Sequence, residues 1–196
     1  MADLSDSLLT YTVTYGSPML FILLLIGAAG IPIPGTFLVL AAGAFVRQGV
    51  LDIYSVVGFA FFGAVLGDSL SYWMGRFARQ FIQQRFGKLP AWQKAEANFY
   101  LRGGLAIYLT RWLLTPLAIP TNLIAGSAGY SYSRFLVFDI AGEITWLLVF
   151  GSLGYAFSSR LEVLNELISS FSGVLLGMVL FALGLFLTYR KKRTHR

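Results

Sequence analysis

The chain has 196 residues, 57% of them hydrophobic and only 12% charged, with a formal net charge of +6. Its mean hydropathy is +0.70; a water-soluble domain carries about a quarter charged residues, so water is not the main solvent here. The absence of Cys excludes disulfides, thiolate nucleophiles and Cys-based zinc or iron–sulfur centres, and the single His, His195, lies in the tail, so neither a metal nor a cofactor is expected.

In chain order, residues 1–19 carry Asp3 and Asp6 but no Lys or Arg, lack the positive start of a signal peptide, and read as an interfacial helix. Residues 20–47 are apolar but interrupted in the middle at IPIPGT by Pro32 and Pro34. Proline removes a backbone donor and clashes with the preceding turn, so this stretch is predicted to form a re-entrant helical hairpin; a kinked full span is the competing reading. Residues 54–75 are long enough to cross a bilayer, and Gly63, Gly67, Ser71 and Gly75 make a small-residue stripe that lets another helix approach closely. Residues 77–100 mix Phe81, Phe86 and Trp92 with basic residues and are expected to lie as an amphipathic segment on anionic headgroups, which leaves no role for nucleic acid.

A second interrupted stretch, residues 103–129, has Pro116 and Pro120 at its centre and is predicted to be a second re-entrant hairpin. Transmembrane helices are expected over 135–157 and 171–189, followed by a basic tail over 190–196. Gly173 and Gly177 form a weaker stripe that serves either the monomer or a homodimer. Basic residues concentrate between Arg76 and Arg102 and in the tail, which places both segments, including the C-terminus, in the cytoplasm of a multi-pass protein. With that topology the two hairpins open from opposite sides, each followed by one span. IPGTFLVLAAGAF, from Ile33, resembles IPTNLIAGSAGYS, from Ile119, as an inverted repeat would require.

Ionisable groups at membrane depth are costly, so each is a functional candidate. Asp68, Arg111 and Glu143 each fall about eight residues from the cytoplasmic end of their stretch, or roughly 12 Å deep, and Asp139 lies one turn from Glu143. Arg111 can fork onto a phosphate or carboxylate, with Asn122 and Arg76 as further candidate headgroup ligands; Asp68, Glu143 and Asp139 are candidate proton carriers. The competing reading is that Arg111 only neutralises these acids to hold the bundle together.

Three segments, IPIPGTFLVLAAG, GDSLSYWMGR and TRWLLTPLAIPTNLIAGSAGYSYSRFLVFDIAGEITW, together resemble the DedA family, also called SNARE-associated Golgi or VTT-domain proteins. The likeness runs from about Ile26 to Tyr155. It implies an all-α integral membrane fold of two opposed re-entrant hairpins, each followed by a transmembrane helix, in a bacterial inner membrane. The activity it implies is lipid movement dependent on the proton-motive force, with Asp68, Arg76 and Arg111 as the shared charged residues. Acids that many relatives carry around the first break are replaced by Gly27 and Thr36, and a second Arg of the second hairpin by Leu117. A lipid flippase or scramblase for an anionic lipid, such as a polyprenyl phosphate or phospholipid, is therefore the leading expectation. A proton-coupled solute or cation antiporter and a non-transporting scaffold are the alternatives, and no enzyme is expected.

Overall fold

A computed structural model describes residues 2–158. The chain forms two compact units, Met1–Ala156 and Phe157–Arg196. The second falls almost wholly outside the described residues, and with it the span expected at 171–189, the Gly173 and Gly177 stripe and the basic tail. Every regular element described is helical: α1 (Ala2–Ala29), α2 (Gly35–Arg47), α3 (Ile53–Phe86), α4 (Pro90–Trp112), a 3-10 turn (Thr115–Leu117), α5 (Ala118–Ala128) and α6 (Tyr132–Phe157).

Three helix boundaries differ from the expectation. The division at residue 19 is not seen: α1 runs unbroken past Gly16 and Pro18, as apolar surroundings tolerate one missing bond. The chain also does not leave its helix at Gly75. At 34 residues, α3 is about 51 Å long, well beyond a bilayer core of about 30 Å, and the segment expected over 77–100 divides between the end of α3 and the start of α4. The nearest breakers are Gly87 and Pro90, and Pro90 opens α4 where its missing N–H costs nothing. At the other end of α3, Asp52 caps the helix by accepting from the Ser55 backbone N–H at 2.8 Å, and that bond holds its carboxyl below the usual carboxylate range.

The first proline pair does mark a break. Gly30, with φ +130°, ends α1 by donating to Gly27 while Ile31 donates to Ile26, and Pro32 and Pro34 then keep the chain non-helical up to Gly35. Gly49 and Gly129 end α2 and α5 with the same pair of bonds. In the second stretch the break falls at Leu113 and Leu114, and Pro116 is the second residue of the 3-10 turn. Pro120 is not part of the break: it sits in the first turn of α5, where the N–H it lacks has no intrahelical partner.

Small residues set the packing. A Cβ on Gly63 or Gly67 would strike the backbone of α1 at Phe21 or Leu25, so the first half of α3 lies directly on α1. The later part of α3 meets α5: Gly75 touches the backbone of Leu123, and Gly126 that of Tyr72 and Arg76. Helix α6 repeats this arrangement. Gly142 abuts Tyr108 and Arg111 of α4, Gly154 touches the backbone of Leu40 in α2, and Gly43 that of Gly151 and Tyr155. One constant separation in sequence relates Gly63 to Gly142, Tyr72 to Gly151, Gly75 to Gly154 and Arg76 to Tyr155. A second relates Leu40 to Leu123 and Gly43 to Gly126. Helices α3 and α6 run in opposite directions: Tyr72, late in α3, packs on Phe135 at the start of α6 with ring centroids 4.7 Å apart, while Val56 and Gly151 line one cleft at the other end.

Aligning the two similar segments at Ile33 and Ile119 sets Leu40 against Gly126, whereas the glycine contacts relate Leu40, which meets Gly154, to Leu123, which meets Gly75. Apolar Ala-Gly segments match one another in several registers, and only the close approach of a glycine to a neighbouring backbone selects one.

Most of the remaining surface is apolar, with Tyr54, Phe62, Phe77, Leu101, Val137 and Leu148 each more than half exposed. Exposed large hydrophobic residues on nearly every helix mark a surface solvated by hydrocarbon.

Candidate functional site

Arg111 occupies the last turn of α4, where the chain is about to break and the free carbonyls of the helix end favour a positive charge. It is 3% exposed. Its Nε donates to Asp139 Oδ1 at 2.5 Å and lies 3.4 Å from Asp68 Oδ2 and 3.6 Å from Glu143 Oε1. Its Nη2 donates to Asn122 Oδ1 at 2.7 Å, and the guanidinium carbon stands 5.7 Å from the centre of the Phe135 ring. The three acids reach this point from α3 and from two successive turns of α6, so one buried cation joins three helices.

Asn122 completes the network from α5. Its amide nitrogen donates to Asp68 Oδ1 and to Ser71 Oγ, both at 2.7 Å, while its oxygen receives Arg111. Only this orientation of the amide sets its oxygen toward the guanidinium and its nitrogen toward the carboxylate. Ser71 passes its own hydroxyl proton to the Asp68 carbonyl at 2.9 Å. Asn122 was expected as a headgroup ligand, but both its amide hydrogens are already used; its place is that of a clasp tying the limb after the break to the limb before it and to α3. Asn122→Ala is expected to lower stability by about 2 kcal/mol, since it leaves a buried carboxylate oxygen and a guanidinium short of partners, and thermal unfolding in detergent would measure this.

Asp68, Asp139, Glu143, Arg111 and Asn122 thus meet; Asp68, Arg111 and Glu143 share the depth expected of them, and Asp139 joins them from one turn away. Arg76 does not join them. It lies about 12 Å further along α3 than Asp68, half-buried, with one guanidinium nitrogen lacking a hydrogen-bond partner among the described residues. The residues that sequence reasoning passed over are the aromatic cover: Tyr72, Tyr132 and Phe135 stack on one another above the cluster, and the Tyr72 hydroxyl donates to the Tyr130 carbonyl at 2.5 Å. The run SYW beside Asp68 contained Ser71 and Tyr72, but nothing in it distinguishes packing from a site. At the first break, Thr36 receives the Trp146 indole N–H at 3.2 Å, and Gly27 packs against Ile33, so neither position holds charge.

The cluster is buried but incompletely bonded. Arg111 Nη1, Asp139 Oδ2 and Glu143 Oε2 are enclosed with no hydrogen-bond partner among the described residues, and such orphans are costly unless a water, proton or ligand meets them. The nearest oxygens of the three acids lie within 4.8 Å of one another, a spacing that suits a bound cation. Arg111 Nε sits among them and supplies one such charge. One guanidinium against three carboxyl groups leaves the site electroneutral only when two further positive charges, protons or a cation, are present.

A family model described as the VTT domain matches residues 31–156. The chain is 31% identical over 183 residues to the membrane protein slr0232 of Synechocystis sp., an alignment covering 89% of this chain and 83% of that protein. It is 28% identical over 173 residues to a Lactococcus lactis protein named alkaline phosphatase-like, covering 82% and 80%. To the Escherichia coli inner membrane protein YghB it is 34% identical over 131 residues, covering 64% and 59%. No solved structure gives a significant match.

Proposed function

The chain belongs to the VTT-domain, or DedA, family of membrane proteins, and on that premise we propose that it is a multi-pass carrier of the cell's inner membrane that moves a lipid with an anionic headgroup across the bilayer. The headgroup class includes polyprenyl phosphates and phospholipids, and the mode is that of a flippase or scramblase. The observation that carries this reading is the burial of Arg111 among three carboxylates, at the end of a broken helix, with Nη1 left over. A guanidinium is the side chain best suited to a phosphate, and here it is held beside free backbone groups in a chain solvated by lipid.

The paired glycine contacts support an inverted repeat, in which α1, α2 and α3 correspond to α4, α5 and α6 with opposite direction. On this reading the helices broken at Gly30–Pro34 and Leu113–Leu114 are re-entrant limbs, and rocking of one half against the other exposes the site to each face in turn. The acids Asp68, Asp139 and Glu143 carry the protons that accompany the headgroup, and basic Arg79, Arg85 and the tail support a cytoplasmic C-terminus. We read the chain as a carrier and not an enzyme: the Ser71 hydroxyl donates to the Asp68 carbonyl and accepts from Asn122, so among the described residues no side-chain base is hydrogen-bonded to it, and Asp139 is engaged by Arg111.

The spacing of the three acids favours a second reading, a cation antiporter, in which Arg111 is only a counter-ion. Translocation of fluorescent lipid in proteoliposomes separates the two. Wild type is expected to move lipid without any cation gradient and faster under a pH gradient, and Glu143→Gln to lose the pH response while remaining folded. Lipid that stays in its leaflet under all conditions, with cation flux present, would overturn the lipid reading.

A further inference from the structure

The correspondence between the halves assigns every member of the charged cluster a counterpart. Leu24 stands where Arg111 does, Val39 for Asn122, Ala60 for Asp139, Ala64 for Glu143 and Leu147 for Asp68. All five belong to one apolar cluster, four of them buried. The fold therefore contains one position twice, polar in the second half and hydrocarbon-lined in the first.

The aromatic cover has counterparts as well, and they are smaller. Ile53, Val56 and Gly151 take the places of Tyr132, Phe135 and Tyr72. Where those rings stack over the Arg111 cluster, the first half has a cleft of about 310 Å³ between α2, α3 and α6, lined by Val39, Val56, Ala60, Leu147 and Gly151 among others. Ile53, Val57 and Leu148 on its rim are each at least half exposed, so it opens on the surface that faces hydrocarbon. At its polar end Tyr155 lines the cleft, and the exposed Arg47 stands over the Tyr155 ring at 5.0 Å and donates to its hydroxyl at 3.1 Å.

We propose that this cleft binds one hydrocarbon chain of an anionic lipid whose headgroup rests on Arg47. A fixed cation at the end of an open apolar groove is complementary to an anionic headgroup on an acyl or prenyl chain, which fills the groove with apolar surface. The inference deepens the lipid reading above and rests on it only for the class of ligand, since binding here is measurable without transport.

The test uses the full chain in lipid nanodiscs containing phosphatidylglycerol, or phosphatidylcholine, with a diazirine midway along one acyl chain, and maps the labelled residues after irradiation. Label is expected on Val39, Val56, Ala60 or Leu147, more from phosphatidylglycerol than from phosphatidylcholine. Gly151→Leu should lower it about tenfold, as excluding two methylenes from the cleft would. A Cβ at Gly151 meets only Val39 Cγ1 at 3.9 Å, an ordinary contact, so the variant is compatible with folding. Val57→Trp on the rim is an independent block, and Arg47→Gln should remove the headgroup preference. Label spread evenly over the exposed helix faces, or unchanged in both blocking variants, overturns the proposal. Cleft labelling without lipid transport keeps this site and removes the carrier reading, whereas transport without cleft labelling does the reverse.

Discussion

Replacing Arg111 by Ala is expected to cost about 3–5 kcal/mol of stability, the range measured when one partner of a buried ion pair is removed. Asp139 loses its 2.5 Å donor, Asp68 and Glu143 lose the positive charge between them, and the Asn122 oxygen loses its hydrogen-bond donor. The measurement is thermal unfolding in detergent followed by size exclusion. Loss of stability alone would fit a guanidinium that merely neutralises acids, so a second variant is needed. Arg111→Ala combined with Asp139→Asn and Glu143→Gln removes the cation and most of the charge it balances, and should regain much of the stability. If Arg111 receives the headgroup, the triple variant stays inactive in lipid translocation although it is folded. A folded and fully active triple variant would show that the charges serve only the bundle.

The second large effect is at the helix crossings. Gly126→Leu places a side chain onto the Tyr72 carbonyl and the Arg76 amide, and because both neighbours are backbone, α3 and α5 must separate. A loss of about 3 kcal/mol is expected, the upper end for overpacking a close contact. Gly43→Leu should cost a similar amount, because its Cβ meets the corresponding atoms of Gly151 and Tyr155. Gly58→Ala, with nothing within 4 Å of the new methyl, should not lower the unfolding temperature and, inside α3, should raise stability by about 0.5–1 kcal/mol. Unequal losses at Gly43 and Gly126 would mean that the two halves do not bear load in the same way, and would count against the repeat.

The Asp68, Arg111 and Glu143 candidates could be named from sequence because a charge in an apolar run is conspicuous whatever surrounds it. Their common depth followed from counting residues along straight helices, where an error of a few residues in a boundary moves a group by up to about 6 Å. The same counting sets Arg76 two turns beyond Asp68, at the end of the span and outside the cluster, but it gives no place to Asn122, whose hydrogen bonds depend on three neighbours distant in sequence. Proline breaks were legible in the same local way, since a missing N–H acts on its own helix. Pro120 was misread because a proline's effect depends on whether it falls inside a helix or in its first turn, and that depends on where the previous helix stops.

By itself, then, the sequence determined the solvent, the helical class, both breaks and the charged residues that must be compensated, because each follows from the free energy of a group in its own segment. Only the tertiary structure decided that Arg111 sits among three acids, that Asn122 ties α4, α5 and α3 together, and that Tyr72, Tyr132 and Phe135 pack on one another while a cleft stays open between α2, α3 and α6. Those outcomes depend on which backbones touch at Gly43, Gly75, Gly126 and Gly154. Contacts of that kind join residues far apart in the chain, and close packing accepts one register where the apolar pattern alone would accept several.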